Sequence, residues 1–337
     1  MAGAEVALRK HGSPIIVTRH RPRGRWTSTA ATSSICDARR QGAPLRVRLM
    51  VMGIPLRPAT PAAGVTRQVA YDICMPRDRL TFGVLPGHDE SGDLLGTVEL
   101  AEALGFDSVW VGDHVLWYVP SPDPIALLGA IAARTSRVRL GTAVMLAALR
   151  PAVVGAKAAA TLDHLSGGRF VFGVGIGGEN PAEFKAAGVP LRERSSRLDE
   201  TLRICRALWS ASGPVTFEGR HMSLHEARFD LPPLTPSGPP IWVGGRAPGS
   251  LRRAGELGDG WLAFVVTPQR FREGWATVRA HAEAAGRDPD ALTPGLQVWC
   301  ALADSDGEAR GLIAPAIEAM YRTPFERFER YTIYGTP

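Results

Sequence analysis

The sequence has no long apolar run; none approaches the ~18–20 residues that a membrane-spanning helix needs. The apolar stretch at 49–56 follows Arg46 and Arg48 but lies too far inside the chain for a signal peptide. Cysteine is scarce: four in 337 residues, and Cys36, Cys74, Cys205 and Cys300 form no C-x-x-C pair. That spacing argues against a disulfide scaffold and a zinc site, and fits a reducing, cytoplasmic setting. His221 and His225 have no third ligand candidate near them, so no metal is expected. Acidic residues are sparse in one region only. Residues 1–78 carry thirteen Lys/Arg and four Asp/Glu, leaving 26 basic and 29 acidic residues in the rest. The net charge of +6 therefore belongs to the N-terminal stretch, and the remainder is mildly acidic. This removes the argument for a nucleic-acid partner.

Residues 1–78 also lack a sustained apolar period of 2 or 3.6, and are rich in Arg, Pro, Gly, Ala, Ser and Thr. The expectation is a disordered basic extension, with an electrostatic arm or targeting leader as the functional alternative.

From residue 80 the pattern alternates. Strands are expected at 80–86, 107–111, 138–146, 169–175, 241–243, 261–266 and 296–302. Helices are expected at 92–105, 124–134, 152–165, 181–187, 193–211, 250–257, 268–285 and 306–321. A polar, Pro-rich insertion at about 213–239 holds a candidate hairpin, 215–217 against 221–224. Near-continuously apolar strands alternating with helices imply a parallel sheet covered by helices. Seven such units fill residues 79–337, close to the ~250 residues of a TIM (β/α)8-type barrel. An open doubly wound sheet is the rival. On this pattern the eighth βα unit is expected to be absent, since the sequence ends at Gly335-Thr336-Pro337, which reads as a helix start.

In a parallel barrel, chemistry collects at the C-terminal ends of the strands. That filter selects His88 and Asp89, Asp113 and His114, and residues 142–145. It also selects Gly175, Gly177, Gly178, Glu179 and Asn180, and then Gly244, Gly245 and Arg246. His114 can give or take a proton near neutrality, with Asp113 orienting it or binding a polar edge; a solvated Asp-His turn is equally open. Gly173, Gly175 and Gly178 match G-x-G-x-x-G, but Asp199 and Glu200 fall inside a helix pattern, so a Rossmann site is disfavoured. A glycine-rich loop approached by a flat ring fits better. Gly244-Gly245-Arg246 before a helix start resembles a phosphate cradle, against a plain tight turn.

Several segments, taken in order, resemble the luciferase-like monooxygenase superfamily, and especially its coenzyme F420-dependent branch. They are Leu80-Thr-Phe-Gly-Val-Leu-Pro86, Leu104-Gly-Phe-Asp-Ser-Val-Trp110 with Asp113-His114, and Val138-Arg-Leu-Gly-Thr-Ala-Val144. Ser166-Gly-Gly-Arg-Phe170, Gly173-Val-Gly175, Arg197-Leu-Asp-Glu200, Pro240-Ile-Trp-Val-Gly-Gly245 and Gly258-Asp-Gly-Trp261 continue the match. The resemblance implies an oxidoreductase moving a hydride between F420 and a small organic molecule, with FMN-dependent monooxygenation as the alternative. A reading of another class is a non-catalytic relic or subunit, motivated by the odd leader and the absent unit. The resemblance further implies His114 and Glu179 as catalytic groups and Asp113 as a cofactor contact. It places a non-proline cis peptide at Ala143-Val144 behind the redox ring, glycines 175, 177 and 178 beside that ring, and Gly244, Gly245 and Arg246 near its phosphate. No membrane partner is expected, and a homodimer is left open.

Overall fold

The structure, a computed structural model, describes residues 13–19, 80–86 and 93–337. The rest of the expected extension, and His88 and Asp89, lie outside the described residues.

Seven strands run parallel in sequence order: β2 (Leu80–Val84), β3 (Ser108–Val111), β4 (Arg139–Thr142), β5 (Phe170–Val174), β8 (Ile241–Gly244), β9 (Gly260–Phe264) and β10 (Thr293–Leu302). Helices lie between them: α1 (Leu94–Ala103), α2 (Pro124–Arg134), α3 (Ala152–Ser166), α4 (Pro181–Ala186), α5 (Arg194–Ser210), α6 (Pro248–Leu257), α7 (Pro268–Ala284) and α8 (Asp306–Tyr321). The barrel expectation holds. The insertion forms the antiparallel hairpin β6 (Val215–Glu218) and β7 (Ser223–Ala227). Its turn is held by the Glu200 carboxylate, which accepts the amides of Arg220, His221 and Met222 at 2.9–3.1 Å.

Two expectations change at the barrel seam. Residues 13–19, expected to be disordered, form strand β1 (Ser13–Arg19). It pairs antiparallel with both β2 and β10, Ile16 facing Gly83 on one side and Gln297 on the other. The physical reason is edge satisfaction: seven parallel strands leave two rows of unpaired amides and carbonyls, and one added strand uses both. The eighth position is therefore filled from the N-terminal side. A short strand β11 (Thr332–Gly335) also pairs parallel with the end of β10, from Trp299↔Thr332 to Leu302↔Gly335.

Local signals account for many element ends. Asp123 caps α2 by accepting from Ile125 and Ala126, with Pro124 at N1. Gly105, past the end of α1, takes φ +87°. The Ser166-Gly-Gly-Arg169 segment is structural. Arg169 donates to the carbonyls of Ala132, Thr135, Val138 and Ser166, tying together the turns at the N-terminal end of the barrel.

Most of the core lies between strands and helices, around Leu128, Ile131, Ala156, Phe172, Leu202 and Trp261. The barrel interior has its own cluster: Trp110, Val171, Trp242 and Leu262, against Leu85, Ala143 and Val144. Trp110 fits because Gly141 and Gly83 lack side chains; a Cβ on either would overlap Trp110 or its partner Ser108. This aromatic layer forms the floor of the site above it.

Candidate functional site

A cavity of about 710 Å³ opens at the C-terminal ends of the strands. Asp113, His114, Ala143, Val144, Gly177, Glu179, Gly244, Gly245 and Arg246 all line it, so nine residues singled out in the sequence share one wall system. Gly175 and Gly178 lie just behind that wall.

Asp113 is buried, and its carboxylate is fully engaged. It accepts the Leu146 amide at 2.8 Å and a bidentate pair from Arg150, Nη1 at 2.5 Å and Nη2 at 3.1 Å. Arg150 also reaches Asp123 at 3.0 Å. Burial works against the Arg150 charge, but hydrogen bonds and Coulomb attraction from Asp113 and Asp123 outweigh it and raise its pKa. Asp113 does not touch the His114 ring through any hydrogen bond in the structure; it locks the loop after β3 to the loop after β4.

The acid that meets His114 is Glu183. His114 Nδ1 lies 3.3 Å from Glu183 Oε1 and 3.4 Å from Oε2. The Glu183 side chain is 1% exposed and also accepts the amides of Val115 at 2.7 Å and Leu116 at 3.2 Å. Local sequence explains this. Asn180 caps α4, Pro181 starts it, and Glu183 falls in the first turn, pointed back at the loop after β3. Asn180 Nδ2 donates to the Leu116 carbonyl at 2.7 Å, so one helix start grips that loop twice. On its face, the His114 ring stacks on Trp117, with centroids 3.6 Å apart and planes at 13°. Trp117 is itself tied to Met320 of α8. A carboxylate can only accept, so a hydrogen bond to Nδ1 places the proton of neutral His114 there and leaves Nε2 as the basic nitrogen.

The Ala143-Val144 peptide is cis, as the family resemblance implied. Val144 points between Gly175 and Gly244, and a Cβ on either glycine would collide with its side chain. Both glycines make room for Val144, and Gly244 also lines the cavity. Gly177 (φ +57°) packs against Leu146, and Gly178 (φ +106°) packs against the half-buried Arg194. Both conformations favour glycine.

Gly245 has φ +118°, and its carbonyl accepts the Trp261 indole at 2.7 Å. The next residues start α6, whose N-cap Ala247 has no side-chain acceptor to offer. Pro248 has no amide to offer and the Ser250 and Leu251 amides donate to the Ala247 carbonyl at 2.9 and 3.1 Å, so only the Gly249 amide is left without a cap, near Arg246, whose guanidinium reaches the Phe264 carbonyl only at 3.4 Å. Glu179 is exposed on the rim and has no hydrogen bond to His114. Burial raises the Tyr321 phenol above its ordinary pKa, and the Glu179 charge adds to that.

Sequence reasoning missed Glu183, Arg150, Trp117, Tyr321 and Gln297. Asn180-Pro181-x-Glu183 was a readable signal for an acid in a first helical turn. Tyr321 and Gln297 come from α8 and β10, distant in sequence, and only closure of the barrel brings them to the cavity. Among the described residues no cluster of His, Cys, Asp and Glu could hold a metal. No helix among them is long and apolar enough to cross a membrane.

The luciferase-like monooxygenase family model matches residues 79–333. A phthiodiolone/phenolphthiodiolone dimycocerosates ketoreductase from Mycobacterium bovis is 36% identical over 218 residues, covering 58% of this chain and 57% of that protein. An F420-dependent glucose-6-phosphate dehydrogenase from Kineococcus radiotolerans is 42% identical over 180 residues, covering 51% of this chain and 52% of that protein. The chain thus spans a little over half the length of these curated relatives. Among solved structures, a monooxygenase from Streptomyces bottropensis aligns with a TM-score of 0.62 at 30% identity, covering 68% of this chain and 70% of that one.

Proposed function

Since the chain belongs to the luciferase-like monooxygenase family, an oxidoreductase class, we propose that it transfers a hydride between coenzyme F420 and a small organic substrate. The observation that carries this reading is the His114–Glu183 pair on the wall of the 710 Å³ cavity. It is a proton-handling group held in one tautomer at the place where a substrate would meet a ring.

The cavity fits such a cofactor in three respects. The Ala143-Val144 step, wedged between Gly175 and Gly244, offers an apolar ledge for a flat ring. Arg246, at the start of α6, would receive a phosphate. Gln297 and Tyr321 supply polar groups across the cavity. When bound, a deazaflavin supplies the hydride donor or acceptor carbon. The chain's own residues do the rest. His114 Nε2 takes or gives the substrate proton. Glu183 fixes the ring's tautomer and orientation, and Trp117 holds its face. Asp113 and Arg150 keep the two neighbouring loops in register. Glu179, on the rim, is an assisting acid in this reading. The resemblance to an F420-dependent dehydrogenase supports F420; the likeness to a monooxygenase supports the monooxygenase alternative.

Parallel fluorescence titrations with F420 and FMN, followed by turnover with and without oxygen, test the proposal. Stoichiometric F420 binding and oxygen-independent turnover are expected. Tight FMN binding with oxygen-dependent turnover would overturn it. Binding of neither cofactor would favour the non-catalytic reading.

A further inference from the structure

A second, smaller cavity of about 220 Å³ lies at the opposite end of the barrel. It is lined by Thr81, Asp107, Ser108, Trp110, Arg139, Val171 and Trp242. These stand at the starts of β2, β3, β4, β5 and β8, so the space sits inside the N-terminal mouth, beneath the Trp110–Trp242 layer. Arg139 is partly buried there, and among the described residues its guanidinium has no hydrogen-bond or ion-pair partner. Arg134, Arg150, Arg169, Arg252, Arg253 and Arg287, by contrast, all have named acceptors. Burial pushes the Arg139 pKa down, yet a guanidinium stays charged at any physiological pH. A guanidinium that lines a cavity and has no protein acceptor among the described residues is placed to pair with an anion.

We propose that this mouth binds a small organic monocarboxylate, its carboxylate on Arg139 and its hydrocarbon body against Trp110, Val171 and Trp242. One feature chooses this class over an inorganic oxyanion. The walls include Trp110, Val171 and Trp242, which favours a ligand with an apolar body. Asp107 lies on the same wall, with Oδ2 accepting the Phe82 amide at 2.9 Å. A planar guanidinium fork matches a carboxylate in a bidentate pair. Ser108 adds a donor: its Oγ accepts the Trp110 indole at 2.8 Å, leaving its hydroxyl proton free for the ligand. The proposal is independent of the cofactor reading, because no residue lines both spaces.

Calorimetric titration of the full chain with benzoate, and with benzamide as its neutral isostere, tests this at constant ionic strength. Benzoate should bind at least tenfold tighter than benzamide. Arg139→Met should weaken benzoate at least tenfold, and Arg246→Met, in the upper cavity, should leave it unchanged. Equal binding of the two probes, wild-type affinity in Arg139→Met, or loss of binding in Arg246→Met would each overturn the proposal. Should Arg139→Met fail to fold, Ser108→Ala takes its place, with a severalfold loss expected for benzoate; unchanged benzoate affinity would overturn the proposal.

Discussion

Glu183 holds the imidazole of His114 from below while giving its other lone pairs to the amides of Val115 and Leu116. One buried carboxylate thereby fixes both a ring and the loop that carries it. His114→Ala should cut turnover by about 10²–10⁴, the usual range for a general acid or base, with cofactor affinity changed only a few-fold. Unchanged turnover would remove His114 from the chemistry.

Glu183 acts through His114, so its variant should separate position from fold. Glu183→Gln retains an acceptor oxygen for the loop amides but weakens the pull on Nδ1–H. We expect kcat to fall about tenfold with KM nearly constant. Nitrogen NMR of the ring should show loss of the Nδ1–H tautomer. A merely structural role would lower melting temperature and leave the tautomer intact.

The buried pair Asp113–Arg150 makes a prediction about stability rather than chemistry. Asp113→Asn keeps the shape but leaves Arg150, 22% exposed, with Asp123 as its remaining counter-charge. Breaking buried pairs costs ~3–5 kcal/mol; partial exposure and Asp123 reduce that here to about 2 kcal/mol. Urea unfolding measures it. The double variant with Arg150→Met should lose less than the sum of the singles, and strict additivity would refute the coupling.

How much of this was legible follows from the range of each signal. β–α alternation, the Asp123-Pro124 cap and the hairpin are written within a few residues, and they read correctly. The positions of Asp113, Val144 and Arg246 on one rim also followed, because parallel strands put their C-terminal ends together. Their roles did not follow. Whether Gly175 and Gly244 face a ligand or shelter Val144 depends on strands neighbouring in space, and β5 and β8 are separated by two helices and a hairpin. β1 was the least legible, since seven residues in a polar, Arg-rich region gain their conformation only from β2 and β10.

The Val144 wedge yields a coupled test. Gly175→Ala inserts a methyl group where Val144 already sits, which should cost ~1–3 kcal/mol and weaken cofactor binding. Adding Val144→Ala should recover part of both losses. If the double variant is no better than the single, the collision is not what requires glycine.

Acid should unfold the protein partly through Glu102 and Asp123. Burial opposes ionisation of Glu102, but the amides of Val138, Arg137 and Ser136 outweigh it and lower its pKa. Asp123 is lowered likewise, burial being outweighed by the Ala126 amide and Arg150. Both titrate in the unfolded chain near their ordinary values of ~4. Their contribution is complete above those values and disappears as pH falls through the lower folded ones. Melting temperature between pH 6 and 3 should therefore drop less steeply in Glu102→Gln than in the parent. Parallel curves would rule Glu102 out.

The seam carries the last prediction. β1 supplies backbone partners to β2 and β10 at once, so distorting it should loosen both sides of the seam. Ile16→Pro removes one ladder amide from a strand flanked by two neighbours, a position proline does not tolerate. Its melting temperature should fall by several degrees and, with two edges bared, soluble oligomers should appear in light scattering. Pro14 already occupies the start of the strand, where its missing amide is compatible with the pairing seen, so the effect must depend on position. A chain beginning at residue 80 that stays monomeric and as stable as the full protein would show that β1 does not close the barrel in solution, and the two edges would then need another cover.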